Sequence, residues 1–140
     1  MTKPPLHFWI VAILSLLWNG YGGFDYLMTQ TQNAGYLATY TPEQKAYFAG
    51  LPLWMDCSWA LGVWTSVVGS VLLILRRHWA LQAFLVSLVG IAGMLIHSYV
   101  LTDGARIMGP QAPVFSAVIT TIGLFLAWYA WTMIKKGVLR

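Results

Sequence analysis

The sequence predicts an all-α integral membrane protein: a four-helix antiparallel bundle with a short outer interfacial helix. Three observations carry this. Of 140 residues, 59% are hydrophobic and only 9% charged, far from the balance of a soluble domain. Apolar stretches near 6–28, 53–75, 79–101 and 112–134 each reach the roughly 20 residues that a helix needs to cross the hydrocarbon core. The charged residues lie towards the ends of these stretches and in the connections between them. Together they predict one domain over residues 1–140.

The first segment opens after Pro4 and Pro5, where a missing N–H does little harm. Lys3 and the Leu6 to Leu17 run have the outline of a signal peptide. No small-x-small cleavage pattern follows and the apolar run continues past Trp18, so the segment is read as a retained span. Its second half turns polar and glycine-rich, with Asn19, Gly20, Gly22, Gly23 and Asp25. Asn19 and Asp25 are costly in lipid and should face protein or water, and the glycines admit a close neighbour.

The connection 29–52 is expected to hold its own helix over about 42–50. Thr41-Pro42-Glu43-Gln44 has the form of a capping box with Pro at the first helical position, and Gly50 with Pro52 supplies a stop. Tyr47, Phe48 and Leu51 would anchor this helix at the headgroups, as a lid or a gate. Arg76, Arg77 and His78 leave room only for a tight hairpin between the second and third segments. Asp103-Gly104 opens the last connection as a turn.

Helical spacing picks out one small or polar stripe per segment. These are Ser15, Asn19, Gly22, Gly23 and Tyr26; Ser58, Gly62, Thr65, Ser66 and Gly69; Ala83, Ser87, Gly90, Met94, His97 and Leu101; and Ser116, Thr120, Gly123, Ala127 and Ala130. Small residues let backbones approach in lipid, so the helices are expected to pack tightly without a wide pore. Trp9, Trp79, Trp128 and Trp131 would form the inner aromatic belt, and Trp54, Trp59 and Tyr99 the outer.

Orientation follows from the basic residues. Lys3, Arg76, Arg77, Lys135, Lys136 and Arg140 fall on one side; Lys45, Arg106 and all four acids fall on the other. The positive-inside rule then puts both termini in the cytoplasm. The net charge of +4 resides at helix ends rather than on one basic face, so the lipid bilayer is the expected partner and nucleic acid is not. A homo-oligomer or a larger membrane complex is expected, because four short helices leave little room for a solute cavity in a monomer.

Depth brings Asp25, Asp56, His97, Asp103 and Arg106 to one outer vestibule, with Asn19 beneath it. Asn19, Asp25, Asp56 and His97 are the candidate ligand- or ion-binding residues, since a histidine among carboxylates titrates near neutral pH. Asp103 and Arg106 would support them. The same residues also fit structural ion pairs that close the outer end, His97 with Asp56 and Arg106 with Asp25 or Asp103. Two functions stay open: passage or binding of a small solute, ion or proton, and a non-catalytic accessory or assembly subunit.

Enzyme chemistry has little to stand on. The single Cys57 excludes an internal disulfide, a CxxC centre and a cysteine-rich metal site. No nucleophile has a partner at a fixed spacing, no metal site is expected, and no cofactor is called for. A metal on Asp25, Asp56 and His97, or a haem between His7 and His78, is the weaker alternative.

The whole chain resembles a family of small four-span bacterial inner-membrane proteins. The resemblance rests on Leu17-Trp18-Asn19, Asp25 to Thr31, Thr41 to Gln44, Trp59 to Trp64, Gly69 to Leu73 with Arg76 to Ala80, and Gly137 to Arg140. It implies membrane class and topology. Some members are labelled sugar transporters without an established activity, and the resemblance implies no catalytic residues.

Overall fold

A computed structural model describes residues 3–140, which are mostly helical, with no strand among them. Six α-helices follow in order: α1 Leu6–Gln30, α2 Pro42–Ala49, α3 Leu53–Ile74, α4 Trp79–Ile96, α5 Gly104–Met108 and α6 Ala112–Lys135. A 3-10 turn, Tyr36–Thr39, precedes α2, and a π-helical turn, His97–Leu101, prolongs α4. Three of these stretches, Leu53–Ile74, Trp79–Leu101 and Ala112–Lys135, are long and apolar enough to cross a membrane. The first helix has 25 residues but is diluted by His7, Asn19, Asp25 and its glycines.

The closest pairing is α3 with α4. Gly62 and Gly90 let the two backbones touch: a Cβ on Gly90 would fall 2.5 Å from the Gly62 nitrogen and 2.6 Å from the Ser58 carbonyl oxygen. Ser87 Oγ donates to the Gly62 carbonyl at 2.6 Å across the same seam. Helix α1 lies against α3. Asn19, only 8% exposed, donates from Nδ2 to Ser70 Oγ at 2.8 Å and to the Ser66 carbonyl at 3.2 Å. Helix α6 lies against α4 and meets α1 where His7 Nδ1 and the Tyr129 hydroxyl stand 2.7 Å apart.

The main apolar core gathers at the end that holds the basic residues. Phe8, Leu73, Phe84, Leu126, Met133, Val138 and Leu139 are all buried there. The chain closes this end on itself. After α6 a Schellman turn at Gly137 sends Val138 N–H back to the Met133 carbonyl, and Val138 and Leu139 turn inward. Arg140 N–H then donates to the Arg76 carbonyl at 3.0 Å, and His78 N–H donates to the Arg140 carbonyl at 2.8 Å. Arg76 ends α3 in the left-handed region, φ 59°, and its Nε donates to the Val138 carbonyl at 3.0 Å. A non-glycine residue there costs roughly 1–2 kcal/mol. The hydrogen bonds to the tail offset that cost.

The predicted stripes are buried or half-buried with one exception. Ser87, Gly90 and His97 are buried, but Leu101 is 60% exposed. The π-helical turn adds a residue to the ring and rotates Leu101 out of the stripe. Trp59, expected in the outer belt, is instead buried beneath Tyr26 and Phe48, because α2 folds over it.

Candidate pocket at the acidic end

The capping box at Thr41 forms in full. Its hydroxyl accepts from Gln44 N–H at 3.1 Å, and Gln44 Oε1 accepts from Thr41 N–H at 3.1 Å. The same Gln44 side chain donates from Nε2 to the Ile107 carbonyl at 3.1 Å. One residue therefore starts α2 and ties it to α5. Arg106 adds exposed ion pairs to Glu43 at 3.3 Å and Asp103 at 3.7 Å. Exposed pairs of this kind contribute little, about 0–1 kcal/mol.

Held this way, α2 turns Tyr47 inward instead of leaving it at a membrane surface. Its hydroxyl reaches His97 Nδ1 at 3.0 Å and Thr102 Oγ1 at 3.3 Å. Gly104 makes room, since a Cβ there would land on the Tyr47 hydroxyl. Thr102 Oγ1 donates in turn to the His97 carbonyl at 2.8 Å, one of the backbone acceptors that the π-helical turn leaves unusually placed. His97 is 4% exposed. Trp54 meets it edge-on, ring centroids 5.4 Å apart.

These residues line an open pocket of about 460 Å³, with Tyr47, Trp54, His97 and Thr102 beside Leu51, Pro52, Leu101 and Ile107. That volume lies within the range of sites for small molecules, about 300–1,000 Å³. Tyr47→Phe is expected to leave His97 Nδ1 buried without a partner, at a cost of about 1–3 kcal/mol. Thermal unfolding of the purified protein would read this as a midpoint several degrees lower.

Of the residues expected to form a vestibule, the structure brings only some together. His97 lines the pocket; Asn19, Asp25 and Asp56 do not. Asn19 lies on the α1–α3 seam. Asp25, half-buried, accepts a short hydrogen bond from the Tyr36 hydroxyl. Burial, and then that bond, hold the Tyr36 phenol well above its ordinary pKa, so it stays a neutral donor. Asp56 accepts from Gln30 Nε2 at 2.8 Å. Among the described residues no ion pair joins His97 to Asp56 or Arg106 to Asp25; Arg106 with Asp103 is the one expected pair that forms. No three His, Cys, Asp or Glu side chains of the described residues gather as they would around a metal.

Tyr47, Trp54, Thr102 and Gln44 complete the arrangement and were not among the candidates from sequence. The capping box was the available signal: it fixes where α2 begins, and therefore where Tyr47 falls. No protein-family model, curated protein or solved structure matches the chain.

Proposed function

We propose that the chain is an integral protein of a bacterial cytoplasmic membrane that crosses it four times as an antiparallel bundle, both termini inside. We propose further that it binds a small solute in the pocket beneath α2, at the outer end. Three apolar helices support the membrane reading, and α1 supports a fourth span by turning Ile10, Ile13, Leu14, Leu17 and Phe24 outward. The gathering of Lys3, Arg76, Arg77, Lys135, Lys136 and Arg140 opposite the four acids supports the orientation. One observation carries the binding reading. A buried histidine lines an open pocket, held by a π-helical turn and by a tyrosine from a helix that is not itself a span. π-Helical turns recur at functional sites.

The test is purification from the native membrane in mild detergent, with the assembly mass measured and thermal unfolding followed against a panel of small solutes. A self-associated or lone protein whose unfolding midpoint rises with one solute, and rises much less in Tyr47→Phe, is the expected result. A stoichiometric second protein with no response to any solute would overturn it in favour of an accessory subunit.

A further inference from the structure

The lining of the pocket narrows what it can hold. Among the described residues none of its walls carries an Asp, Glu, Lys or Arg side chain. An ion of either sign would exchange water for Leu51, Pro52, Leu101 and Ile107 with no countercharge, which is costly. The walls suit an uncharged ligand with an apolar body.

The hydrogen bonds around His97 say what its head must offer. Thr102 has one hydroxyl hydrogen, and it goes to the His97 carbonyl at 2.8 Å. Tyr47 must therefore donate its own hydrogen, and two acceptors lie in reach: His97 Nδ1 at 3.0 Å and Thr102 Oγ1 at 3.3 Å. Thr102 Oγ1 already accepts from Gly104 N–H at 3.2 Å. Nδ1 is the nearer of the two acceptors; Thr102 Oγ1 keeps a second lone pair and could take the hydrogen instead, with Nδ1–H then given to Tyr47. A neutral imidazole that accepts at Nδ1 carries its hydrogen on Nε2. Nε2 has no partner among the described residues, and His97 has no buried polar atom sealed off without one. In that tautomer the pocket offers one N–H donor, from a residue nine-tenths buried, next to the partly exposed ring of Trp54.

Part of the pocket's rim is apolar and exposed. Leu101 is 60% exposed and Trp54 45%, and both belong to stretches apolar enough to lie in lipid. We infer that the pocket takes a neutral, planar carbonyl compound of the quinone class, delivered from the bilayer. Its carbonyl oxygen accepts from His97 Nε2–H and its ring lies against Trp54. This rests on the reading of the pocket given above.

The test uses the full chain in detergent, titrated calorimetrically with a decyl-substituted benzoquinone while nitrogen-15 NMR follows the histidine side chains. Saturable binding with a shift of one histidine Nε2–H signal is expected. His97→Phe, which keeps a ring and removes the donor, should weaken it about tenfold, the loss of one good hydrogen bond. Leu101→Trp should weaken it at least as much; it fills the mouth from an exposed position and leaves the packed helices alone. Binding that ignores both substitutions, or none at all, overturns the quinone assignment. Decanol saturating a site sensitive to Leu101→Trp, with the quinone failing to do so, overturns the assignment and leaves the pocket reading standing. Failure of both ligands, together with a silent solute panel, removes both.

Discussion

Gly90→Ala is expected to destabilise the protein by about 3 kcal/mol or more, at or beyond the upper end of ordinary overpacking. The added methyl would sit 2.5 Å from the Gly62 nitrogen and 2.8 Å from its Cα, and backbone cannot step aside as a side chain can. Helices α3 and α4 must separate along their closest seam, which also lengthens the bond from Ser87 to the Gly62 carbonyl. In lipid, close backbone approach with its dispersion and hydrogen bonding is most of what holds two helices together. The same chemical change at Gly20 meets nothing within 4 Å. There alanine's better helix propensity is worth up to about 1 kcal/mol, so Gly20→Ala should hold or raise stability. Unfolding midpoints of the two variants in one detergent, measured side by side, check the contrast; equal midpoints would refute the seam.

Val138→Asp is expected to have the next largest effect. Val138 is 1% exposed within the apolar cluster of Phe8, Leu73 and Met133. A carboxylate there has no countercharge within the cluster, so the least costly response is for the tail after Gly137 to peel away. The loss then equals what the tail contributes. Burying Val138 and Leu139 is worth about 1.5–3 kcal/mol each, and the backbone bonds to Arg76 and His78 about 1 kcal/mol each. Set against the roughly 1 kcal/mol of conformational entropy that each freed residue regains, a fall of about 2–5 kcal/mol in chemical unfolding follows. Val138→Ile, which keeps the burial and adds one methylene to a packed site, should cost about 1–3 kcal/mol without freeing the tail.

The helical class was legible because 59% hydrophobic content and unbroken apolar stretches admit little else. Local signals carried further. Thr41 to Gln44 announced a capped helix start, and Asn19 announced a polar contact between helices, which proved to be Ser70 and the Ser66 carbonyl. Pairings across the acidic end were not legible. Depth along a helix places Asp25, Asp56 and His97 at one level but says nothing of azimuth, and each turned to a different neighbour: Tyr36, Gln30 and Tyr47. The π-helical turn was invisible for the same reason. A repeat of 3.6 residues assumes the ladder continues, and Leu101 left the stripe where it did not. The tail was hidden differently, since nothing within Gly137-Val138-Leu139-Arg140 marks it as buried and its burial depends on the α3–α4 turn.

The uneven placement of the apolar core has a kinetic consequence. One end of the molecule is closed by a dry cluster and a stitched tail, the other by a short helix resting on a few hydrogen bonds and exposed ion pairs. Opening free energies in a folded chain follow local burial, so α2 and α5 are expected to open before the basic end does. The cover over His97 can lift on the microsecond-to-millisecond scale of lid motions without loosening the helices beneath it. A guest would then wait on the swing of one two-turn helix, and its residence time would be set by Gln44 and Tyr47 more than by the strength of the fold.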